Sequence, residues 1–417
     1  MGMRRYWGRV QCKVRAQGAK WWAGLLLLVG FLPVRIQAEG LNNKAGIHIL
    51  DAGEIGKAAE LVNSNGGDWG YVTVPIQADD KDRKKWQQFM DEVARLHVIP
   101  IVRIATYPQG EVWAKPNLAT VLDFANFLTE LNWPVKKRYV VIFNEVNRAS
   151  EWGGEVNPAE YAQVLSWAQE IFLKRDENFV VLPAGLDAAA PNVAGQMMDE
   201  YQFLRKMYQA EPAVFSRLQG WAAHAYPNPD FSGQPGENHR MSIVSYKYEL
   251  NYVRRLGAGR NLPVFITETG WRKGLISEEQ AGKFYKRAFE GPWQDEQVVA
   301  ITPFLLFAGD GSFVKFSFLD KNLQDTGASL AWKEIKKVAG NPELERKEEE
   351  VALTLSATTS FAEASADRPE GQAGAGTEEK VEIETPVGEN GFWEKLEGFV
   401  GMYVKLIPNW DGNKGGG

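Results

Sequence analysis

The sequence of residues 39–340 predicts an α/β fold of the TIM class, a (β/α)8 barrel of eight parallel strands, each followed by a helix. The first observation is a regular alternation of short β-branched runs with helix-patterned stretches along this part of the chain. The second is that most runs are continuously apolar, which is typical of parallel strands buried on both faces. The runs are GIHIL (46–50), YVTVPI (71–76), IPIVRIA (99–105), VVIFNE (140–145), VVLPAG (180–185), GWAAHAY (220–226), VFITE (264–268) and AITPFLLF (300–307).

The helices between these runs carry their own start and stop signals. Asn157 is placed as an N-cap, and Pro158 occupies the first helical position, where its missing N–H has no cost. Ser277 opens a second helix as the first residue of a capping box, and Gly291 ends it. The helix-patterned stretches identified in this way are 82–96, 118–131, 157–175 and 277–291.

The third observation concerns the connections. Those that follow strands, such as residues 106–117 and 226–240, are long and rich in glycine and aromatic residues, whereas the connection 132–138 after a helix is shorter. In a barrel all strand-to-helix loops lie on one face, and active sites are built there. A doubly wound open sheet is the alternative, but the chain lacks the glycine fingerprint of a dinucleotide site after its first strand.

Residues 1–38 have the pattern of an export signal. They contain seven Lys or Arg and no acidic residue, and the apolar run Trp21–Val34 precedes a cleavage motif that ends at Ala38. That run is 14 residues long, whereas a membrane-spanning helix takes about 20. We expect a secreted chain that begins near Glu39, with an uncleaved signal-anchor as the alternative. Because the one cysteine, Cys12, lies in this segment, the mature chain would have no disulfide and no thiolate ligand.

The C-terminal part departs from the composition of the predicted barrel. Residues 341–390 are acidic and poor in large apolar residues, which predicts a disordered linker. Residues 391–417 recover helical periodicity and predict an amphipathic segment, suited either to a membrane surface or to docking on the domain or a partner. Its apolar positions are Phe392, Leu396, Phe399, Tyr403 and Ile407.

Charge and histidine content exclude two classes of function. The formal net charge is −6, and residues 1–38 hold seven cations and no acid, so the remainder has a net charge of −6 − 7 = −13 and is a poor binder of nucleic acid phosphates. The chain has four histidines, of which His48 and His224 lie on predicted strands, and no cluster has the spacing of metal ligands. We therefore expect neither a metal nor another cofactor.

Ionisable or hydroxyl side chains lie on four of the predicted strands. Glu145 and Glu268 close the fourth and seventh strands, and His224 and Tyr226 are two residues apart on the sixth, so they point to the same side. Arg103 is a cation inside the otherwise apolar third strand. Each of these has a simple structural explanation alone, as a solvated strand end or an ion-pair partner. Together they indicate one polar site at the barrel mouth.

Two glutamates across a barrel mouth suit the cleavage of a glycosidic bond. The leaving oxygen needs a proton, and the positively charged sugar ring must be stabilised meanwhile. Two carboxyl groups about 5–5.5 Å apart achieve this by double displacement, provided that one is protonated while the other is ionised. One geometric condition follows, because Asn144 and Glu145 are adjacent and point opposite ways on a regular strand. Both reach the mouth only if the strand breaks or bulges at its end.

The motifs FNEVN, HAY and FITETGW on strands four, six and seven resemble those of clan A glycoside hydrolases, broadly the family 5 cellulases and mannanases. The resemblance covers about residues 45–310 and implies a retaining enzyme with a (β/α)8 barrel. It implies Glu145 as acid/base, Glu268 as nucleophile and Asn144 as the group that binds the sugar 2-hydroxyl. It also implies that Tyr226 bonds the nucleophile and that His224 lines the cleft.

The chain departs from that clan at three positions. Val146 follows the acid/base where many members have proline, and strand eight offers Phe304 or Phe307 in place of a tryptophan. Arg103 lies on a later strand than the arginine of the clan. We include Arg103 among the expected substrate-binding residues.

Aromatic residues in the loops are expected to stack on sugar rings or to pack the loops together. Trp271 is included in the expected substrate site, and the other candidates are Trp113, Trp152 and Phe231. The sequence thus predicts a secreted retaining β-glycosidase that acts on a polysaccharide or oligosaccharide. The alternatives are a non-catalytic carbohydrate-binding or cell-envelope barrel protein and, with less support, a metal-dependent barrel hydrolase. Either terminus is a candidate for membrane or cell-surface association.

Overall fold

The structure, a computed structural model, describes residues 42–345. Within that range eight helices alternate with eight parallel strands, as the sequence predicts. The strands are β1 (Gly46–His48), β2 (Gly70–Gln77), β3 (Val98–Ala105), β4 (Arg138–Ile142), β5 (Phe179–Pro183), β6 (Trp221–His224), β7 (Val264–Glu268) and β8 (Val298–Ile301). The helices are α1 (Ile55–Val62), α2 (Arg83–Arg95), α3 (Leu118–Thr129), α4 (Pro158–Arg175), α5 (Glu200–Ala210), α6 (Ser245–Arg255), α7 (Glu278–Glu290) and α8 (Gly327–Glu334). A short antiparallel hairpin, Pro108–Gln109 with Val112–Trp113, follows β3.

The strands form two parallel sheets. Strands β1 to β5 are hydrogen-bonded in chain order, and β6, β7 and β8 form a second sheet. At the seam between β1 and β8, Ala45 pairs with Ile301, and His48 donates its backbone N–H to the Pro303 carbonyl at 2.9 Å. This seam therefore carries backbone hydrogen bonds between the two sheets.

The seam between β5 and β6 has no strand ladder within residues 42–345. The N–H groups of β5 that face this seam belong to alternate residues, and two of them are not available. Val181 donates its N–H to the side chain of Gln219 at 3.0 Å, and Pro183 has none. One parallel bridge joins the sheets beyond the strand end, between Asp187 and His224. The continuous closed ladder expected from the sequence is thus not formed here.

Alternate residues of the strands face two apolar layers. One layer packs against the helices, and the other fills the space enclosed by the strands, where Tyr71, Ile101 and Phe265 are buried. Ile99, Ile101 and Arg103 share the inner face of β3, because they are two residues apart. The apolar filling therefore ends one step below Arg103, and the polar site begins there.

The N-caps predicted at Asn157 and Ser277 are confirmed, and at Ser277 the structure shows the cap rather than the full capping box. The Asn157 side chain accepts a hydrogen bond from the Glu160 N–H at 3.1 Å, with Pro158 as the first helical residue. The Ser277 hydroxyl accepts from the Gln280 N–H at 3.1 Å, and α7 ends before Gly291. These caps satisfy backbone donors that the first turn of a helix leaves unpaired.

The predictions for the chain ends fall mostly outside the described residues, since 1–38 and 391–417 lie wholly beyond them. Of the linker predicted over 341–390, the first five residues are described, and they pack on the domain. Leu344 forms an antiparallel bridge with Val135, and the Glu345 carboxylate lies 3.5 Å from Arg138. The contacts of the domain therefore include residues past the expected boundary at 340. Among the described helices, none combines the length and the apolar character that crossing a membrane requires.

Candidate active site

The backbone breaks where β4 ends. Phe143 and Glu145 have positive φ angles of 69° and 34°, a left-handed conformation that costs on the order of 1–3 kcal/mol for a residue with a side chain. Two hydrogen bonds hold this turn: Glu145 donates its N–H to the Gly185 carbonyl at 3.0 Å, and Arg148 donates to the Glu145 carbonyl at 2.9 Å. The break satisfies the geometric condition set by the sequence, because both Asn144 and Glu145 reach the site.

Glu145 is 5% exposed and pairs with a histidine from the other sheet. Its Oε1 lies 3.0 Å from His224 Nδ1. Burial by itself lowers the pKa of His224, but the charge of Glu268 and the hydrogen bond and charge of Glu145 outweigh it and raise that pKa. The imidazole therefore retains a proton more readily than an exposed histidine does.

Glu268 ends β7, and its oxygens accept from one donor on β3 and one just after β6. The Tyr226 hydroxyl donates to Oε2 at 3.0 Å, and Arg103 Nη1 donates to Oε1 at 2.7 Å. His48 and His224 lie close by, with Nε2 of the former 3.8 Å from Oε1 and Nδ1 of the latter 3.7 Å from Oε2. Two fixed donors orient this carboxylate.

The two carboxylates lie close together across the mouth. One oxygen of Glu145, one oxygen of Glu268 and one nitrogen of His224 are all within 4.8 Å of one another. This spacing is compatible with the carboxyl separation of about 5–5.5 Å used in double displacement.

The same three residues offer the minimum set of ligands for a cation. The guanidinium of Arg103, 2.7 Å from Glu268, opposes the binding of a second positive charge at that carboxylate. The paired carboxylates are therefore better explained by acid–base chemistry than by metal binding.

Arg103 joins the two halves of the site. In addition to its bond to Glu268, Nη1 donates to Oδ1 of Asn144, so one cation orients a carboxylate and an amide from different sheets. Its side chain is 13% exposed. The structure thus brings together six of the seven site residues predicted from the sequence: Arg103, Asn144, Glu145, His224, Tyr226 and Glu268.

The seventh, Trp271, is not placed for substrate contact, and the expectation that it stacks on a sugar is corrected. It is 1% exposed, its ring packs on Phe284 and Tyr285, and Nε1 donates to the Gly233 carbonyl at 2.8 Å. A buried indole satisfies its N–H inside the protein, which is what happens here. Trp152 is likewise buried, and its N–H donates to Glu160.

Phe231 is the aromatic candidate that lies beside the two carboxylates, through its contact with Tyr226. It is half-buried, and its ring centroid is 5.0 Å from that of Tyr226, the hydrogen-bond partner of Glu268. Phe316 packs on both rings, with centroid distances of 5.2 Å to Phe231 and 6.2 Å to Tyr226. Trp113 is also half-buried, at the hairpin after β3. Phe304 is buried on β8's continuation and meets His48 edge-on, with ring centroids 5.1 Å apart.

Two further residues at this site were not assigned a role from the sequence. Glu151 is 7% exposed in the 3-10 turn Ala149–Glu151, and burial together with the charge of Glu145 raises its pKa to about 8. His48 is fully buried, and neither ring nitrogen has a hydrogen-bond partner among residues 42–345. Burial, with the charges of Arg103 and His224, lowers the pKa of His48 well below its ordinary value. For His48, its position on a predicted strand was the one signal in the sequence that pointed to the site. For Glu151 the sequence contains no such signal.

Comparisons with known proteins point to the fold. No protein-family model matches the sequence, and no curated protein does. A family 39 glycoside hydrolase from the gut symbiont Bacteroides cellulosilyticus WH2 is similar in structure, with 14% identity, a TM-score of 0.50 and coverage of 70% of this chain and 63% of that one. A glucosidase from Croceicoccus marinus is similar with 10% identity, a TM-score of 0.54 and coverage of 72% and 68%. The chain thus spans just under two thirds of the family 39 protein, and the likeness at these identities is one of fold.

Proposed function

We propose that this chain is a retaining β-glycosidase that hydrolyses O-glycosidic bonds of a polysaccharide or oligosaccharide on a clan A type (β/α)8 barrel. The observation that carries the proposal is the pair of carboxylates at the ends of two strands. Glu145 bonds a histidine and Glu268 bonds an arginine and a tyrosine, so the two groups have different surroundings. Unequal surroundings are what separate an acid from a nucleophile in such a pair.

In the proposed mechanism, the Glu268 carboxylate attacks the anomeric carbon while Glu145 donates a proton to the leaving oxygen. Arg103 and Tyr226 orient the attacking group. The departure of the leaving group produces a glycosyl ester on Glu268. Glu145, now ionised, removes a proton from a water that attacks the same carbon, and the original anomer is released.

The remaining residues are assigned to substrate binding. Asn144 is half-buried with Oδ1 accepting from Arg103, so its amide nitrogen is the end that can donate to a sugar hydroxyl. Phe231 offers a partly exposed ring beside Tyr226, as a stacking surface for the apolar face of a sugar. Each role depends on a substrate that lies across both carboxylates.

A non-catalytic carbohydrate-binding barrel is the alternative, since a polar mouth with aromatic residues suits binding as well. One experiment separates the two. Wild type, Glu268→Ala and the control Glu279→Ala, which removes an exposed carboxylate on α7, are assayed on β-linked glucans, mannans, xylans and galactans. We expect hydrolysis by wild type and control, none by Glu268→Ala, and early release of the retained anomer by NMR. Sugar binding without hydrolysis in wild type would favour the binding protein, and the inverted anomer first would exclude double displacement.

The role of Glu145 has its own signature. The variant Glu145→Ala is expected to lose activity on natural glycosides and to lose much less on aryl glycosides with good leaving groups, which do not need the proton. Azide is expected to restore turnover of such aryl glycosides and to yield a glycosyl azide. Equal losses on both substrate types would assign the acid role elsewhere.

We also propose that the chain is exported, on the pattern of residues 1–38. N-terminal sequencing of exported material is expected to begin near Glu39. Recovery of Trp21–Val34 in that material would indicate a retained anchor.

A further inference from the structure

Asn147 is a buried polar residue just past the proposed acid/base, and the mechanism above gives it no task. It belongs to the motif FNEVN and is 0% exposed. Its Nδ2 donates to the backbone carbonyls of Asp187 at 3.0 Å and of Met198 at 3.1 Å, and its Oδ1 accepts the Asp187 N–H at 3.0 Å. A side-chain amide has two N–H donors and one acceptor oxygen. Both donors are used within the protein, so Asn147 has no N–H left to offer a sugar.

The side chain of Asn147 continues the pairing of β4 with β5 beyond the end of β4. The ladder between these strands runs as far as Ile142 on β4. Past that point, Glu145 donates its N–H to the Gly185 carbonyl at 3.0 Å. Two residues further along each loop, the amide of Asn147 bonds both backbone groups of Asp187, as the backbone of a neighbouring strand would.

The same side chain fastens both ends of the loop between β5 and α5. Asp187 lies near the start of this loop, and Met198 lies two residues before α5 begins. Met198 also donates its own N–H to the Asn147 carbonyl at 2.9 Å. Asp187 in turn forms the parallel bridge with His224, whose Nδ1 lies 3.0 Å from Oε1 of Glu145. Asn147 therefore holds the backbone with which the partner of the proposed acid/base is paired.

We propose that Asn147 is a positioning residue for the pair formed by Glu145 and His224. It holds the backbone of Asp187, and Asp187 bridges to His224 on the other sheet. Because the carbonyl of Asn147 and the N–H of Glu145 are bonded to the same two loops, one short segment sets where both members of the pair lie. The proposal rests on the proposed function, since the position of this pair matters to the reaction only if Glu145 delivers a proton.

The loop has a second attachment, so a variant at Asn147 is expected to fold. The Asp187 carboxylate accepts from Arg148 Nη1 and from the Ala189 N–H, and neither contact uses Asn147. Asn147→Ala therefore loosens the backbone of the loop without releasing the loop altogether. Asn147→Ser is the milder change, because a hydroxyl both donates and accepts a hydrogen bond.

Asn43→Ala is the matched control. Asn43 is also buried, at 1% exposed, and its amide also joins two backbone groups, the Ala45 N–H at 3.2 Å and the Val62 carbonyl at 3.1 Å. It precedes β1 and so lies at the end of the strands away from the mouth. Each alanine variant loses a buried amide that ties backbone together, but only the amide of Asn147 is connected to Glu145 and His224.

Kinetics on two kinds of substrate test the positioning. The value of kcat/KM is measured on the β-linked polysaccharide that wild type hydrolyses and on an aryl β-glycoside of the same sugar, whose good leaving group does not need the proton. In Asn147→Ala we expect it to fall about 10- to 100-fold on the polysaccharide and less than about threefold on the aryl glycoside. Asn147→Ser should show a smaller loss with the same dependence on the leaving group, and Asn43→Ala should leave both values unchanged. Equal losses on the two substrates in Asn147→Ala would overturn the proposal, since a merely destabilised protein loses both activities alike.

A second measurement requires no turnover. In crystal structures of the two alanine variants, the distance from His224 Nδ1 to Glu145 Oε1 is expected to exceed about 3.5 Å in Asn147→Ala and to remain near 3.0 Å in Asn43→Ala. An unchanged distance in Asn147→Ala would refute the positioning role. If the distance lengthens while wild type hydrolyses no β-glycoside, the positioning holds and the proposed function fails, so the two failures are distinguishable.

Discussion

The ring of His224 lies directly against the backbone of Gly185, so that a Cβ atom at position 185 would be 2.2 Å from His224 Cδ2. The carbonyl of the same glycine accepts the N–H of Glu145 at 3.0 Å. One residue just after β5 therefore sets both the backbone of the proposed acid/base and the position of its imidazole partner.

The variant Gly185→Ala is accordingly expected to displace His224 from Glu145. A displacement of about 1 Å at a catalytic group lowers the rate on the order of 100-fold. We therefore expect kcat/KM of the variant to fall by about 10- to 100-fold. The control Gly236→Ala adds a methyl group where nothing lies within 4 Å. Unchanged kcat/KM in Gly185→Ala would show that the imidazole contact is dispensable.

Tyr226→Phe removes one of the two fixed donors to Glu268 and leaves the ring in place. A hydrogen bond to a charged group contributes about 1.5–3 kcal/mol, so kcat should fall by about 10- to 150-fold. Tyr248→Phe is the control, because that hydroxyl donates to the Asn238 carbonyl in an exposed position. A loss confined to KM would instead place Tyr226 in substrate binding.

The burial of His48 and its lowered pKa predict that the stability of the protein depends on pH. The pKa of His48 is lowered well below 6.5 by burial and by the charges of Arg103 and His224, so the native state stays unprotonated where the unfolded chain binds a proton. The free energy of unfolding should therefore fall as the pH drops below about 6.5, by up to about 1.4 kcal/mol per pH unit for this one proton. In His48→Gln, chemical denaturation at pH 7.5, 6.5 and 5.5 should give a shallower loss.

The control for that series is His97→Gln, at an exposed histidine that stacks on Trp69. Comparison of the variants with wild type separates the contribution of His48 to the pH dependence from that of the buried carboxyl groups. The raised pKa values of those carboxyl groups increase the free energy of unfolding as the pH falls, which is opposite to the effect of His48. A slope in His48→Gln equal to that of wild type would contradict the prediction.

Trp271 and Phe231 are expected to separate stability from substrate binding. Trp271→Ala empties a buried site and should lower the free energy of unfolding by about 3–5 kcal/mol. Phe231→Ala, at a half-buried ring beside Tyr226, should raise KM several-fold at a much smaller cost in stability. A Trp271→Ala protein of normal stability but high KM would reinstate the original expectation.

What the sequence predicts well follows from topology. Once Glu145 and Glu268 are placed at the ends of parallel strands, their meeting at one edge is a consequence of the fold, and no loop detail is needed. The break after β4 was predictable for the same reason, because Asn144 and Glu145 cannot both reach the site from a regular strand.

What it predicts poorly depends on loop packing. The motif ETGW gives no sign that the indole of Trp271 turns inward onto Phe284 and Tyr285, since that depends on where α7 lies. The burial of Glu151 could not be predicted from the sequence either, because it depends on the conformation of the 3-10 turn Ala149–Glu151. At the boundary, the composition of residues 341–345 predicted disorder, yet Leu344 and Glu345 find partners on the domain surface.

The missing ladder between β5 and β6 has a consequence for the reaction itself. Glu145 follows a strand of the five-strand sheet and Glu268 ends a strand of the three-strand sheet, and at this seam one backbone bridge, Asp187 with His224, joins the two sheets among the described residues. Two side-chain contacts that cross between the sheets also help to set the gap between the carboxylates: Arg103 to Glu268, and His224 to Glu145. Stereochemical outcome in this class of hydrolysis depends on whether that gap admits a water. Under the proposed function, a change at Pro183 or Gln219, which both lie at this seam, is expected to alter which anomer is released.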